Sequence, residues 1–401
     1  MNSFLGNQVQ SDCCGCSACV EVCPKKCLTM GKNDDGFIVP LISNKDACIE
    51  CGMCSKVCPI ENKVKMSYRN KYYGAYSDIP EDINFSASGG IFPVLARWAI
   101  EQGGVVYGAY LDGEHDLYHI KITEAKDIKK LQNSKYFQSE IRTAYKTCQA
   151  DLQEGRLVLF TGTPCQVQGL KLFLKKDYEN LLTADLICHG VPSKKMFDAY
   201  VAFLEKKHRG KLIDIIFRDK KRNGWSQTLR YTMEYPNGKR KDYYLLGRLS
   251  EYFVAFQIGA IERESCYTCQ FASMNRQGDI SLGDFWGYHK KRPDLRHDKG
   301  LSLIISNSAK GEKIINGLRN HGACFIEVDE ESVKVTGNRN IYLPLKRPEI
   351  RDHVYEELEQ YGFEYIASMY FRKAHTWQNK LKNFLPPVIA NVFKKKYYIV
   401  T

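Results

Sequence analysis

Two copies of one cysteine pattern constrain the first 65 residues more than any other feature of the chain. Residues 13–24 and residues 48–59 both have the spacing C-x2-C-x2-C-x3-C-P. In such runs three cysteines bind one [4Fe–4S] cluster and the fourth binds the cluster of the other run. The spacing therefore predicts two clusters. Their ligands are Cys13, Cys16, Cys19 and Cys58 for the first, and Cys48, Cys51, Cys54 and Cys23 for the second.

A pair of zinc knuckles is the alternative for the same cysteines. Zinc sites use pairs of Cys-x2-Cys and do not need a fourth Cys-Pro in each half, so two complete copies favour the clusters. We expect an α+β dicluster ferredoxin domain over residues 1–65, with a short strand at residues 36–42. Cys14 and Cys27 fall outside the spacing, and we interpret them as small buried residues or spectators.

The composition excludes several classes of protein. With 401 residues and 44% hydrophobic residues, the chain can form two or three domains with a sizeable core. The N-terminus shows no basic and apolar signal pattern, and no apolar run approaches the roughly 18 residues of a transmembrane helix. We therefore expect a cytoplasmic protein whose 16 cysteines stay reduced for metal or redox chemistry.

The positive charge is concentrated at the C-terminus. The net charge is +12, and residues 365–401 contribute seven Lys and Arg without any Asp or Glu. We expect residues 329–401 to be a linker and a partly helical basic tail, broken at Pro386 and Pro387. A solvated tail and a peripheral membrane or partner-docking segment are both compatible with this pattern. Nucleic-acid binding is not expected, because no binding motif accompanies the charge.

A loop of small residues precedes the first predicted helix of the larger part of the chain. Ser86, Ser88, Gly89 and Gly90 lie before a helical pattern at residues 91–102, and a strand is predicted at residues 105–111. Free N–H groups at such a helix start suit a phosphate or diphosphate. An ordinary helix cap is the alternative.

A β-loop-α-β unit follows. It consists of a strand at residues 157–160, a loop at residues 161–165, a helix at residues 166–176 and a strand at residues 184–188. Such crossovers join parallel strands, whose carboxyl ends share one edge of the sheet. We therefore expect the residues that follow the two strands to lie close together, where α/β sheets bind ligands.

Four cysteines of this part of the chain form a candidate third cluster site. Cys165 and Cys188 follow the two strands, and Cys266-x2-Cys269 precedes a strand predicted near residues 279–282. Structural thiols, a redox pair or half a zinc site are the alternatives. As a set of four, these cysteines suit a third [4Fe–4S] cluster.

The chain resembles the coenzyme F420 hydrogenase/dehydrogenase beta-subunit family. The resemblance covers about residues 1–325 and is carried by several motifs in series. These are SASGG at 86–90, SKYFQS at 134–139, GTPCQ at 162–166, ICHGVPS at 187–193, FRDK at 217–220 and DISLGDFWG at 279–287.

The resemblance implies an α/β flavin-binding domain with a partly parallel sheet, FAD and a flavin-proximal cluster. It places an N-terminal FAD-binding region at residues 70–150 and a C-terminal region with FAD and the third cluster at residues 151–328. It makes Cys165, Cys188, Cys266 and Cys269 the preferred ligands of that cluster. The residues expected near FAD are Ser86, Ser88, Gly89, Gly90, Lys135, Tyr136, Gln138, Ser139, Thr161, Gly162, Thr163 and Gln166.

The expected function is that of an iron–sulfur flavoprotein oxidoreductase. It would transfer electrons between [4Fe–4S] clusters and a hydride-exchanging substrate, either an F420-like deazaflavin or an organic molecule, through FAD. Lys135 would stabilise reduced flavin, and His189 would supply a proton. The alternatives are a ferredoxin-dependent reductase of a sugar, lipid or other organic intermediate in polysaccharide metabolism, and an electron-transfer subunit without turnover. Expected partners are ferredoxin or a deazaflavin, a small-molecule substrate and a partner subunit.

Overall fold

The computed structural model of the chain describes residues 10–62, 68–295, 297, 299–334, 337–376, 379 and 383. Within these residues the strands form a two-stranded, a three-stranded and an eight-stranded sheet. The strands are β1 (Leu28–Lys32), β2 (Ile38–Ile42), β3 (Lys71–Ser77), β4 (Val105–Leu111), β5 (Leu117–Ile122), β6 (Val158–Gly162), β7 (Leu181–Leu186), β8 (Lys211–Ile216), β9 (Thr228–Glu234), β10 (Arg240–Leu246), β11 (Ile280–Asp284), β12 (Ser302–Ser306) and β13 (Ala323–Val328).

Helices of very different length connect these strands. They are α1 (Ala18–Val22), α2 (Met53–Lys56), α3 (Pro80–Asn84), α4 (Ile91–Glu101), α5 (Ile128–Leu131), α6 (Ala144–Gln153), α7 (Pro164–Leu174), α8 (Lys194–His208), α9 (Glu251–Gln257), α10 (Glu264–Tyr267), α11 (Ala309–Leu318), α12 (Glu330–Lys334), α13 (Arg351–Tyr361) and α14 (Phe363–Ile366). A π-helical segment, Ala367–Phe371, follows α14.

The N-terminal region is a small α+β unit. β1 and β2 pair antiparallel, with Met30 opposite Pro40, and the short helices α1 and α2 lie within the two cysteine runs. The strand predicted over residues 36–42 is present as β2. Both observations agree with the expected ferredoxin-like domain.

The eight-stranded sheet is the centre of the larger part of the chain. Its order is β13-β3-β12-β11-β7-β6-β4-β5. The neighbours β4, β6, β7 and β11 pair parallel, whereas β12 pairs antiparallel with both β11 and β3. The prediction of a partly parallel sheet is therefore confirmed. The carboxyl ends of the four parallel strands meet at one edge, and this edge carries the candidate site.

The predicted crossover between β6 and β7 is present, but its loop is shorter than expected. β6 continues to Gly162, and α7 begins at Pro164. Thr163 and Gln166 form a reciprocal capping box, and proline at the first helical position favours an early start. Cys165 therefore lies on the first turn of α7 and not in the preceding loop.

A second core lies beside the sheet, against the antiparallel strands β8, β9 and β10. Helix α8 contributes Phe197, Tyr200 and Leu204, which lie on one face at helical spacing. Tyr200 stacks on Tyr252 of α9, with ring centroids 5.2 Å apart. This aromatic packing fixes α9 and the following chain, which carries Cys266 and Cys269.

The assignment of all of residues 329–401 to a linker and tail is wrong. Val354, Tyr355 and Leu358 of α13, together with Phe363 and Ile366 of α14, are buried in the second core. The basic residues of 365–401 dominate the charge of this segment, so an interpretation based on charge alone overlooks the amphipathic helix α13. The tail lysines beyond Lys373, and Pro386 with Pro387, lie outside the described residues. Among the described residues, no helix is long and apolar enough to cross a membrane.

A buried ion pair connects β7 to the chain that enters β11. Arg276, which is 1% exposed, donates from Nη2 to Asp185 Oδ1 at 2.7 Å and to the carbonyl of Leu186 at 2.7 Å. The other carboxylate oxygen of Asp185 accepts from the backbone N–H groups of Gln277 and Gly278. The pair therefore holds the chain next to the site in one conformation.

We expect Arg276→Leu to lower the free energy of unfolding by about 3–5 kcal/mol, because it leaves the carboxylate of Asp185 buried without its cation. Urea unfolding followed by circular dichroism measures this. Arg240→Ala is the control, since Arg240 pairs with Glu234 at the surface and such pairs contribute about 0–1 kcal/mol. Equal effects of the two substitutions would contradict the buried pair's role.

Candidate functional site

The four cysteines predicted for the first cluster line one cavity. Cys13, Cys16, Cys19 and Cys58 surround it. Cys58 comes from the second run, so the two halves of the N-terminal region interlock there. Three of the four, all except Cys19, are buried, so a cluster held in this cavity would be shielded from water. Cys14, which the spacing leaves aside, also lines this cavity.

The four cysteines predicted for the second cluster line a second cavity, and one of them, Cys54, also lines the first. Cys48, Cys51, Cys54 and Cys23 surround the second cavity, and Cys51 is exposed to solvent. Cys27 lines the same cavity, and its Sγ lies 3.4 Å from Cys23 Sγ. The second cavity is therefore the more accessible of the two.

The backbone of the two cysteine loops repeats along with the spacing. Gly15 and Glu50 occupy equivalent positions and have φ angles of 68° and 53°. Ser17 and Gly52 are also equivalent, with φ angles of 66° and 68°. Each loop thus uses the left-handed region twice, which turns the cysteines inward.

The left-handed φ angle alone does not require glycine at position 15, because Glu50 adopts the same left-handed conformation at the equivalent position. Close packing does require it. A Cβ atom at Gly15 would lie 2.2 Å from Nε2 of Gln138 and 2.9 Å from Nη2 of Arg263. Gln138 and Arg263 belong to the larger part of the chain. The first loop is therefore pressed directly against that part.

Metal-free thiols in the first cavity hold their protons firmly. Burial raises the pKa of Cys58 to about 11 and also raises the pKa of Cys13 and Cys19. The neighbouring thiols add to this by repulsion between thiolates. Iron binding requires the thiolate, so it must displace these protons and is coupled to their release.

The structure brings together the four cysteines of the candidate third site. Burial, with the nearby thiolates of Cys165 and Cys269, raises the pKa of Cys188 to about 12. Burial, with Cys188 and Cys269, raises the pKa of Cys266 well above its usual range. Four residues from three separate segments therefore lie within one electrostatic neighbourhood. The parallel strands β6 and β7 produce this by ending at the same edge.

Among the described residues, no group of three or more His, Cys, Asp or Glu side chains converges closely enough to hold a single metal ion. The cysteines of a [4Fe–4S] cluster do not need to converge on one point, because each of them binds a different iron atom.

Two side chains that lie next to Cys266 in the sequence bind the loop that carries Cys13. Arg263 donates from Nη1 to the carbonyl of Cys13 at 2.6 Å and from Nη2 to the carbonyl of Ile38. Ser265 Oγ donates to the same carbonyl of Cys13 at 3.0 Å. Because Cys266 follows directly, the two cysteine loops are held side by side.

The loop of residues 86–90 lies at the same edge of the sheet. Gly89 N–H donates to Ser302 Oγ at 2.9 Å, and a Cβ at Gly89 would lie 2.3 Å from the carbonyl oxygen of Ala75. Ser88 Oγ donates to the carbonyl of Leu301 at 2.8 Å. Gly90, with φ 83°, begins α4 without a side-chain cap. The loop is therefore closely packed on the strands but leaves the start of α4 uncapped by any side chain.

Two half-buried lysines face this region without a carboxylate partner among the described residues. Lys220 Nζ donates to the carbonyls of Ile83, at 2.8 Å, and Ser88, and burial lowers its pKa to about 7. Lys135 Nζ donates to the carbonyl of Gln132 at 2.7 Å, and burial lowers its pKa to about 7 as well. Lysine amino groups beside an uncapped helix start form a donor set that fits a diphosphate, as in FAD.

The predicted residues near Lys135 make contacts within the protein. Tyr136 OH accepts from Arg218 Nη1 at 3.1 Å. Gln138 Oε1 accepts from Ile38 N–H at 3.2 Å, and Ser139 Oγ lies 2.9 Å from His119 Nδ1. Ser86 Oγ accepts from Gln132 Nε2 at 3.3 Å. Gln138 therefore supports the first cysteine loop as well as the region expected near the flavin.

The side chains after β6 shape their own loop. Thr161 Oγ1 donates to the carbonyl of Tyr107 at 2.9 Å, while Thr163 and Gln166 form the capping box of α7. Gln166 Nε2 also donates to the carbonyl of Ser139 at 3.0 Å. A Cβ at Gly162 would lie 3.1 Å from Gln166 Oε1. These contacts join the two segments expected to border the flavin.

His189 is held by its neighbours. Its Nε2 lies 3.0 Å from the carbonyl oxygen of Phe256, and the two rings are 4.7 Å apart. Burial lowers the pKa of His189, which favours its neutral form. It directly follows Cys188, at the edge where the candidate third site lies.

Several residues that the sequence reasoning did not single out contribute to this site. Arg218 Nη1 donates to Asp284 Oδ2 at 2.8 Å, and its Nη2 donates to the carbonyl of Ala87 at 3.1 Å. Trp225 Nε1 donates to Asp284 at 2.9 Å. Arg218 and Lys220 lie in the motif FRDK, and Asp284 lies in GDFWG. These motifs could therefore have pointed to the three residues.

His119 was also missed, and no local pattern marks it. Its Nε2 lies 3.0 Å from the carbonyl oxygen of Thr161, and burial lowers its pKa to about 4. As a neutral ring it bridges Ser139 to Thr161 and stacks on Phe160, with ring centroids 5.5 Å apart. It therefore positions two loops of the site.

Two family models match the chain. The model for the C terminus of the beta subunit of coenzyme F420 hydrogenase/dehydrogenase matches residues 155–332, and the model "4Fe-4S dicluster domain" matches residues 12–62. Both lie where the motifs and the cysteine runs lie. These matches support the coenzyme F420 hydrogenase/dehydrogenase beta-subunit family for this chain. The chain is an iron–sulfur electron-transfer protein with an N-terminal 4Fe-4S dicluster domain.

Curated relatives agree with both matches. The chain is 22% identical over 376 residues to the F subunit of the F(420)H(2) dehydrogenase of Methanosarcina mazei, covering 90% of this chain and 96% of that protein. Ferredoxin-1 of Caulobacter vibrioides is 44% identical over 43 residues, which cover 11% of this chain and 33% of the ferredoxin. A chain of the F420-reducing [NiFe] hydrogenase complex from Methanosarcina barkeri is 16% identical, covers 75% of this chain and 94% of its own, and has a TM-score of 0.44.

We expect Gly15→Ala to destabilise the protein by roughly 1–3 kcal/mol more than Gly52→Ala. Both substitutions place a side chain in the left-handed region, but a Cβ at Gly52 meets no atom within 4 Å. Anaerobic urea unfolding of the cluster-loaded variants measures the difference. If the two variants unfold at the same urea concentration, the first loop does not press against Gln138 and Arg263 as described.

Proposed function

We propose that this chain is an iron–sulfur flavoprotein oxidoreductase with three [4Fe–4S] clusters and one FAD. What supports the proposal most is that twelve cysteines fall into three neighbouring groups, the third of them at the edge of the sheet that also carries the loop of residues 86–90. The first group is Cys13, Cys16, Cys19 and Cys58. The second is Cys48, Cys51, Cys54 and Cys23. The third is Cys165, Cys188, Cys266 and Cys269. We also propose three functional regions: a ferredoxin-type domain at residues 1–65, an N-terminal FAD-binding region at residues 70–150, and a C-terminal region with FAD and the third cluster at residues 151–328.

The exposure of the three groups supports an order of electron transfer. The second group includes the exposed Cys51, whereas the first has three buried cysteines. The third is fastened to the first through Arg263 and Ser265. Electrons would be exchanged with a soluble carrier at the second group and would reach the edge of the sheet through the first and third groups.

When bound, FAD would exchange a hydride with the substrate and single electrons with the clusters. The start of α4 at Gly90, with Lys220 and Lys135, supports binding of its diphosphate. Arg218, paired with Asp284, would contribute a fixed dipole beside this loop rather than a free positive charge. Lys135 remains our candidate to stabilise the reduced flavin. His189 remains our candidate proton donor, because it directly follows Cys188 at the same edge of the sheet.

The substrate class follows from the relatives and is part of the proposal. The Methanosarcina mazei relative is named as a subunit of an F(420)H(2) dehydrogenase. By analogy, this chain would use a deazaflavin or another hydride-exchanging organic molecule, and it would work beside a partner subunit. Reoxidation of the reduced protein by an F420-like deazaflavin, or by a candidate organic acceptor, tests this directly. A carrier without turnover would be reoxidised by neither.

We expect about twelve iron atoms and one FAD per chain after anaerobic purification. Cys165→Ala is expected to lose about four of the iron atoms, because it removes a ligand of the third cluster alone. Iron, acid-labile sulfide and flavin analysis measure this. Cys324→Ala is the matched control, since Cys324 lies on β13, away from all three groups. About eight iron atoms in the unmodified protein would remove the third cluster from the proposal.

We expect the affinity for FAD to fall as the pH rises above about 7. The pKa of Lys220 is lowered to about 7, and the diphosphate favours its charged form, so deprotonation opposes binding by at most tenfold per pH unit for this group. Lys220→Met is expected to weaken binding roughly tenfold to hundredfold and to flatten the pH profile. Lys221→Met, at the exposed neighbouring position, is the control. An unchanged affinity in Lys220→Met would contradict the assignment.

A further inference from the structure

The guanidinium of Arg263 is a buried positive charge beside the first cysteine loop. Its Nη1 donates to the carbonyl of Cys13 at 2.6 Å, and its Nη2 donates to Gln138 Oε1 at 3.0 Å and to the carbonyl of Ile38. Its Nε is buried and has no acceptor among the described residues. Within that part of the chain, every hydrogen-bond partner of this guanidinium is therefore neutral.

The acidic residues on either side of Arg263 do not balance its charge. Glu264 binds Arg347, with Oε2 2.9 Å from Nε. Glu262 is fully buried, and burial raises its pKa well above the usual range, so its neutral form is favoured. A buried cation is costly unless a negative charge lies nearby. The surroundings of Arg263 are therefore short of one negative charge.

A [4Fe–4S] cluster held in the first cavity would supply this charge. Such a cluster with four thiolates carries a charge of about −2 when oxidised and about −3 after reduction by one electron. Arg263 binds the backbone of Cys13, one of the four predicted ligands, and a Cβ at Gly15 would lie 2.9 Å from Arg263 Nη2. The guanidinium is thus packed directly against the loop that would hold the cluster.

We propose that Arg263 is a positioning residue that raises the reduction potential of the first cluster through its positive charge. Reduction makes the cluster more negative, and a nearby cation stabilises the added electron. Lys25, which lines the second cavity, is exposed, so water screens its charge. Arg263 therefore favours electron transfer from the second cluster to the first. This inference rests on the two clusters of the N-terminal region in the proposed function and does not need the third.

The test is a redox titration of the full chain, purified anaerobically with its clusters and followed by electron paramagnetic resonance. Cys51→Ala identifies the reduction step of the second cluster, and Cys165→Ala identifies that of the third. In Arg263→Gln, we expect the equilibrium constant for reduction of the first cluster to fall roughly ten- to thirtyfold, the effect of a unit charge at roughly 8–10 Å with an effective dielectric constant of about 20. Arg263→Lys keeps the charge and should retain most of the native value.

Two further variants separate the charge from the packing of the loop. Ser265→Ala removes the other side-chain hydrogen bond to the carbonyl of Cys13, which is 3.0 Å long, without any change of charge. We expect it to shift the first cluster far less than Arg263→Gln does. Gln138→Glu places a carboxylate beside Arg263 in a side chain of nearly the same shape. It should lower the same equilibrium constant about as much, and it decides the question if Arg263→Gln does not retain its iron.

The outcomes distinguish this inference from the proposed function. Full iron content with an unchanged first reduction step, in Arg263→Gln or in Gln138→Glu, would overturn the role of Arg263 and leave the proposed function intact. An equal shift in Ser265→Ala would assign the effect to packing, which also overturns the inference. An unmodified protein with about four iron atoms, and without the reduction step of the first cluster, would overturn the inference and the proposed function together.

Discussion

The buried guanidinium of Arg263 is the contact on which the arrangement of the cysteine groups depends. It is 2% exposed and forms no ion pair with a carboxylate among the described residues. Its partners are the carbonyls of Cys13 and Ile38 and the side chain of Gln138. One side chain thus joins the first cysteine loop, the β1–β2 hairpin and the segment expected to border the flavin.

A buried cation without a carboxylate is costly unless another negative charge lies nearby. The thiolates of Cys13 and Cys165 lie close enough for Arg263 to favour their charged form. An oxidised [4Fe–4S] cluster with four thiolates carries a charge of about −2. The cluster-loaded protein would therefore supply the charge that Arg263 lacks in the metal-free chain. Cluster binding and the docking of the N-terminal region on the sheet would then stabilise each other.

The sequence predicts those parts of the molecule whose signals are local. The spacing of the eight N-terminal cysteines predicts two groups of four, and the members of each group line one cavity, with Cys54 lining both. The grouping of Cys165 with Cys188 needs a further step, the shared edge of parallel strands. Contacts between residues far apart in the chain leave no such signal. His119, for example, joins Ser139 to Thr161, although the three residues lie in separate segments. The basic charge of the C-terminal segment predicts a tail and gives no indication of helix α13.

Helix α13 is one of three elements of the larger part of the chain that hold the N-terminal region in place. Arg351 of α13 binds Asp35 at 2.8 Å, and Gln270 Nε2 donates to the carbonyl of Pro59 at 2.6 Å. With Arg263, these contacts hold the β1–β2 hairpin, the first loop and the residue that follows Cys58. Ile49, beside the second cavity, is 59% exposed. The first loop is thus held against the larger part of the chain, while the second cavity stays exposed to solvent. A relay requires both properties, because internal transfer depends on fixed distances and exchange with a partner depends on access.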